Sequence, residues 1–99
     1  MNNTSETGPV KSIALTGADQ AVATAQVFYG LVITNESGAA INLHIHNGSS
    51  NSGTPIIAGA YVANNQSFTA WLGPNGVSCP SGIYVDVVSG TATGSVLYR

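Results

Sequence analysis

The sequence predicts an all-β domain, an antiparallel β-sandwich of about eight strands. Three observations predict it. Apolar and polar residues alternate in several short runs, the period of a strand with one buried face. Gly, Pro, Asn and Ser interrupt those runs roughly every 8–12 residues, as turns between short strands do. No stretch carries apolar residues at helical spacing over any length.

Each element follows from its residues. Residues 1–9 (MNNTSETGP) read as a flexible N-terminal arm, and residues 10–99 as one domain. Val10 to Thr16 (VKSIALT) is a first strand, closed by the turn Gly17-Ala18-Asp19. Gln20 to Thr24 is a short second strand. Val27 to Asn35 (VFYGLVITN) is the most apolar run, with Phe28 and Val32 on one face and Tyr29, Leu31 and Ile33 on the other. A strand apolar on both faces is either central in a sandwich or pressed against another subunit.

Glu36-Ser37-Gly38 turns the chain into Ala40 to Asn47, where Ile41, Leu43 and Ile45 point one way and Asn42, His44 and His46 the other. Asn47 to Thr54 (NGSSNSGT) is a polar, permissive loop. Pro55 to Val62 is a strand that begins on proline, where a missing N–H does least harm. Ala63-Asn64-Asn65 turns into the strand Gln66 to Leu72. Gly73-Pro74-Asn75-Gly76 is a turn, Val77 to Cys79 a short extended piece, and Pro80-Ser81-Gly82 a further turn. Ile83 to Ser89 carries Ile83, Val85 and Val87 on one face, and Thr91 to Tyr98 is the final strand. Eight antiparallel strands in two sheets would suit a jelly roll, although connectivity is not readable from sequence. Gly30, Gly59 and Gly94 interrupt strands and mark bulges or close backbone approach.

Composition narrows the function. Only 6% of the 99 residues are charged: Glu6, Lys11, Asp19, Glu36, Asp86 and Arg99. An ordinary domain has ~25%. Two basic residues cannot make a phosphate-tracking patch, so no nucleic-acid partner is expected. No apolar run is long enough to span a membrane as a helix. The first residues lack the basic start and apolar core of a signal peptide, which predicts synthesis in a cytoplasm. The single cysteine, Cys79, leaves no intrachain disulfide, and nothing beside it in sequence would activate its thiol. A surface of Ser, Thr, Asn and Gly loses little side-chain entropy when covered, whereas each immobilised Lys or Arg forfeits ~1.5–2 kcal/mol. It also lacks the charge that keeps proteins apart. The chain therefore reads as one that lives against copies of itself or a partner.

Candidate site residues are few. No serine lies in a strained Gly-x-Ser-x-Gly elbow and most acids fall in turns or the arm, so no catalytic residues and no cofactor are assigned. His44 and His46 share a strand face and are the sole metal candidates. They are two ligands where structural zinc takes four, so two solvent-facing histidines are the preferred reading. Three copies meeting at this strand would bring six imidazoles around an ion. Trp71 lies on the face opposite Phe68, Ala70 and Leu72, and points outward if those form core; exposed Trp anchors interfaces and stacks on sugars. Asp86 is read as exposed, with Lys11 or Arg99 as alternative partners. Trp71, Phe28, Tyr29, Leu31 and Tyr61 are the candidate interface residues.

The runs FYGLVITNESGAAINLHIHNGS, PIIAGAYVANNQSF and SGIYVDVVSGTATGSVLYR, between Val27 and Arg99, resemble small phage virion proteins. These are short β-sandwich subunits found as head decoration (cement) or tail-associated proteins. The resemblance implies a non-enzymatic subunit located in the virion, a homo-oligomer with a trimer favoured, that clamps a major capsid or other virion protein. The alternative is a carbohydrate- or receptor-binding module on a phage tail or fibre.

Overall fold

The computed structural model describes residues 9–99 and holds nine strands. The arm expected over residues 1–9 lies, except for Pro9, outside the described residues. The strands are β1 (Lys11–Ala14), β2 (Gln20–Val22), β3 (Val27–Asn35), β4 (Ile41–Asn47), β5 (Thr54–Val62), β6 (Gln66–Trp71), β7 (Val77–Ser78), β8 (Ile83–Ser89) and β9 (Gly94–Tyr98). β3 and β8 occupy the ranges read from sequence. The first and last strands are shorter than expected: Val10, Leu15 and Thr16 at one and residues 91–93 at the other lie outside the ladders.

Two antiparallel sheets result. One runs β1-β9-β3-β6, with β7 also on β3; the other runs β2-β8-β4-β5. With β7 set aside, the chain changes sheet at every step except β4 to β5. That is the jelly-roll order, in which long connections cross the ends of the sandwich. β9, the last strand, is thus internal, paired with β1 on one side and β3 on the other.

Alternation builds the core between the sheets. Phe28, Leu31, Ile33 and Val96 come from the first sheet, and Ile41, Leu43, Ile45, Val62, Ile83 and Val85 from the second. All are essentially fully buried, each worth ~1.5–3 kcal/mol of transfer free energy. Cys79 joins them, with its N–H donated to the Gln26 carbonyl.

One polar side chain is equally buried. Asn35, at the end of β3, is 0% exposed. Its Nδ2 donates to the carbonyls of Ala39 (2.7 Å) and Val62 (2.9 Å), and its Oδ1 accepts from the Ser37 N–H and Oγ. The Asn35 carbonyl accepts from the N–H of Asn65, which takes the left-handed conformation at φ 64°. One amide therefore ties the first sheet to β5 of the second and to two connecting turns, with its polar groups paired as burial demands.

β3 departs from simple alternation at one point. Its register on β9 shifts between Phe28 and Gly30, a bulge that adds one residue and turns the strand over. Phe28 therefore joins Leu31 and Ile33 in the core, and Tyr29 leaves it. The expectation that Tyr29 shares a face with Leu31 and Ile33 is corrected accordingly.

Candidate functional site

The five interface candidates separate into three places. Phe28 and Leu31 are 0% exposed inside the sandwich; they hold the sheets together and are withdrawn from any subunit surface. Tyr29 is buried too, but on the outer side of the first sheet. Trp71, opposite Gly30 on β6, is 57% exposed above it. Tyr61, opposite Asn42 on β5, is 70% exposed on the outer side of the second sheet. One flat neighbour cannot cover Trp71 and Tyr61 together, because they lie on opposite faces of the sandwich.

The Trp71 site is built by the bulge. Gly30 offers no side chain between β6 and β9, and a Cβ there would strike the Ala70 carbonyl. The indole of Trp71, the cross-strand partner of Gly30, stacks on Tyr29, ring centroids 5.9 Å apart and planes 20° apart. An aromatic folded over a cross-strand glycine repairs the hole that glycine leaves in a sheet surface. The Arg99 guanidinium sits over the same Tyr29 ring, 5.5 Å from its centroid. Gly76, at φ +66°, brings the 73–76 turn so close that a Cβ would press on Phe28 O and the Tyr29 ring. Tyr29 is thus covered by three neighbours, and Trp71 is the exposed top of a fixed stack. Such a pair adds ~0.5–1.5 kcal/mol beyond its buried area.

Apart from Arg99, the residues beside the stack on β6, β3 and β9 have short neutral side chains. Thr69 and Ser67 follow Trp71 along the outer side of β6, Val32 and Thr34 stand opposite them on β3, and Ser95 faces Val32 from β9. Val32 and Leu72 are more than a third exposed. A fixed aromatic among mostly short side chains can be covered with little loss of side-chain entropy, Arg99 being the one long charged side chain at the stack among the described residues.

The outer side of the second sheet is different in kind. His44 and His46 do share a face, with rings stacked at 6.1 Å, but they are not both solvent-facing. His46 is only 5% exposed. Its Nδ1 donates to the Gly53 carbonyl (2.9 Å), because the loop after β4 folds back over the ring. Its Nε2 faces Asp86 Oδ2 at 3.5 Å. Asp86, expected to be exposed or paired with Lys11 or Arg99, instead sits beside His46 with its side chain 21% exposed. Asp19 also spans elements: its Oδ1 accepts the Val87 N–H (2.7 Å) and its Oδ2 the Tyr84 hydroxyl (3.2 Å). Partial burial, with Asp19 and Asp86 beside it, holds the Tyr84 hydroxyl above its ordinary range.

These groups lock a surface together. Among the described residues no three His, Cys, Asp or Glu side chains are placed to hold a metal ion. His46, folded under its own loop, cannot reach a threefold axis, so the six-imidazole ring is withdrawn. Burial raises the Cys79 thiol above its ordinary value, partly offset by a backbone hydrogen bond at Phe28, which keeps it protonated and unreactive. Sequence reasoning missed Asn35 and the Tyr29–Trp71 stack; the Gly30 break opposite an outward Trp was the available signal for the second.

Comparison with protein-family models, with curated proteins and with solved structures finds no match to this chain.

Proposed function

We propose that the chain is a non-enzymatic structural subunit of a virus particle, a phage capsid decoration or cement protein that strengthens a shell by binding neighbouring subunits. The observation that carries this reading is Trp71, stacked on Tyr29 yet 57% exposed. Interface anchors are typically aromatic or Arg side chains, and pre-organisation lowers the cost of burying them. The resemblance to small phage virion proteins supports the same reading, as does the strand order, since jelly rolls recur in viral capsid domains. That fold-level support is analogy, and the residues carry the argument. His46 is bonded to the Gly53 carbonyl and Asp19 to Val87 and Tyr84, roles that fit a structural reading.

The test is a native mass measurement of the wild type and of Trp71→Ala, with circular dichroism to check the fold. The expected result is an oligomer that weakens on substitution while the β signal persists. A monomer at micromolar concentration, or an oligomer indifferent to the substitution, counts against the reading. Finding the chain by mass spectrometry in gradient-purified particles would place it in the virion.

A second reading has one specific observation in its favour. The same exposed indole, flanked by the Thr69 and Ser67 hydroxyls, is a platform on which a sugar ring can stack. A carbohydrate-binding module would gain thermal stability with its glycan, whereas a structural subunit would not.

A further inference from the structure

The edge strands are β1, β6 and the two-residue β7 in one sheet and β2 and β5 in the other. An open edge is a template for another strand, and proteins guard edges with charge, proline, bulges or shortness. β1 is four residues long and carries Lys11. β2 is three residues long and follows directly on Asp19. β5 contains Pro55, takes φ +116° at Gly59 and slips register twice against β4. β6 has none of these guards. Its residues, QSFTAW, include no charge, no proline and no glycine, and it pairs with β3 over six consecutive positions without a slip. Among the described residues nothing pairs with its other side.

Resting on the reading that neighbours cover this chain, we propose that two copies join β6 to β6 in antiparallel fashion, about a twofold axis at Thr69, to make one continuous sheet. The Leu72 N–H donates to the Tyr29 carbonyl at 2.9 Å. Strand alternation then turns the N–H and C=O groups of Ser67, Thr69 and Trp71 toward the open edge. A twofold at Thr69 sets Thr69 against the partner's Thr69 and Trp71 against the partner's Ser67, with about six backbone hydrogen bonds between them. On the inner face it sets Phe68 against the partner's Ala70. Each large side chain meets a small one, so the register is self-complementary on both faces. A twofold at Trp71 would instead oppose two indoles, and one at Ser67 would leave Trp71 beyond the paired segment. The self-complementary register points to a second copy as the occupant, and β6 carries no charged residue, so pairing sets no two ions of like sign directly opposite each other.

The experiment uses the full chain with three substitutions beside Trp71→Ala. Paired Thr69 residues would have Cα atoms about 5.5 Å apart, inside the disulfide range. Thr69→Cys under mild oxidation should give a covalent dimer on a non-reducing gel. Ser12→Cys, on the guarded edge, should not; the buried Cys79 takes no part. Thr69→Lys, at an exposed side chain whose N–H bonds nothing within the chain, should keep the circular dichroism spectrum and halve the native mass. A Thr69→Cys protein that stays uncrosslinked, or a Thr69→Lys protein of unchanged mass, overturns the edge pairing. If Trp71→Ala lowers the mass and neither Thr69 substitution acts as expected, the pairing falls and the covered face stands. If the Thr69 substitutions act as expected and Trp71→Ala does nothing, the pairing stands and the Trp71 anchor falls.

Discussion

Replacing Asn35 by aspartate changes one NH2 group to oxygen at almost constant volume, in a site with no exposure. The acceptor side survives, since the Ser37 N–H and Oγ can still bond a carboxyl oxygen. The donor side does not. The Ala39 and Val62 carbonyls, now at 2.7 and 2.9 Å from an N–H donor, would face an acceptor. The introduced carboxyl can relieve this by taking up a proton, which restores one of the two bonds. Protonating it at pH 7, against an unfolded value of about 3.9, costs about 4 kcal/mol. The carbonyl still unpaired adds ~1–2 kcal/mol. Asn35→Asp should therefore lose about 5 kcal/mol at pH 7, comparable with the whole stability of many domains of this size.

The pH dependence has a definite sign. The folded state raises the carboxyl's pKa above the unfolded value, so the native form binds more protons than the unfolded one and stability falls as pH rises. The penalty should be small near pH 4, grow from there, and level off above the folded value. Urea melts followed by circular dichroism, wild type against variant at pH 4, 5.5 and 7, measure the difference and cancel the wild type's own pH response. A gap below ~1 kcal/mol at pH 7, or one that does not narrow on acidification, would refute the account of Asn35 as a fully satisfied cross-sheet tie.

Three further outcomes are expected. Gly94→Ala should lower stability by at least ~2 kcal/mol, because φ is +141° and the new Cβ would collide with the Val32 carbonyl; a thermal midpoint within a few degrees of wild type would contradict the close approach of β3 and β9. Cys79 should resist a thiol reagent at pH 8 in the folded protein and react fully in urea, since burial raises its pKa and hides it; fast native labelling would show the thiol to be open. Tyr84 is held above its ordinary value near 10 by burial and then by Asp19, so its contribution is complete below about pH 10 and lost as pH rises further. Tyr84→Phe should shrink the alkaline loss of stability, and an unchanged alkaline profile would remove Tyr84 from the explanation.

Strand positions were legible because they depend on neighbours in sequence. Ile41, Leu43 and Ile45 alternate with polar residues, and burial follows that alternation. Val27 to Asn35 and Ile83 to Ser89 are bounded by residues that resist extension, and their ranges hold. Alternation predicts a face only while the register runs without a slip. At Phe28 the bulge turns β3 over, which moved Phe28 into the core and Tyr29 out of it. Asn35 read only as the last residue of a strand, because nothing local shows that the Val62 carbonyl comes within 2.9 Å of its amide. His46 looked exposed, because the loop that buries it folds back only in three dimensions.

The sequence by itself determined that this chain is a sandwich of short strands with few ions on its exterior, since both follow from the order and identity of side chains along a pleated backbone. Tertiary structure alone decided which apolar residues hold the sheets together, which one stands outside, and which edge is left without a guard. Those outcomes depend on a bulge, a returning loop and the pairing of strands far apart in the chain. Their energies come from contacts that exist only once the sheets have met.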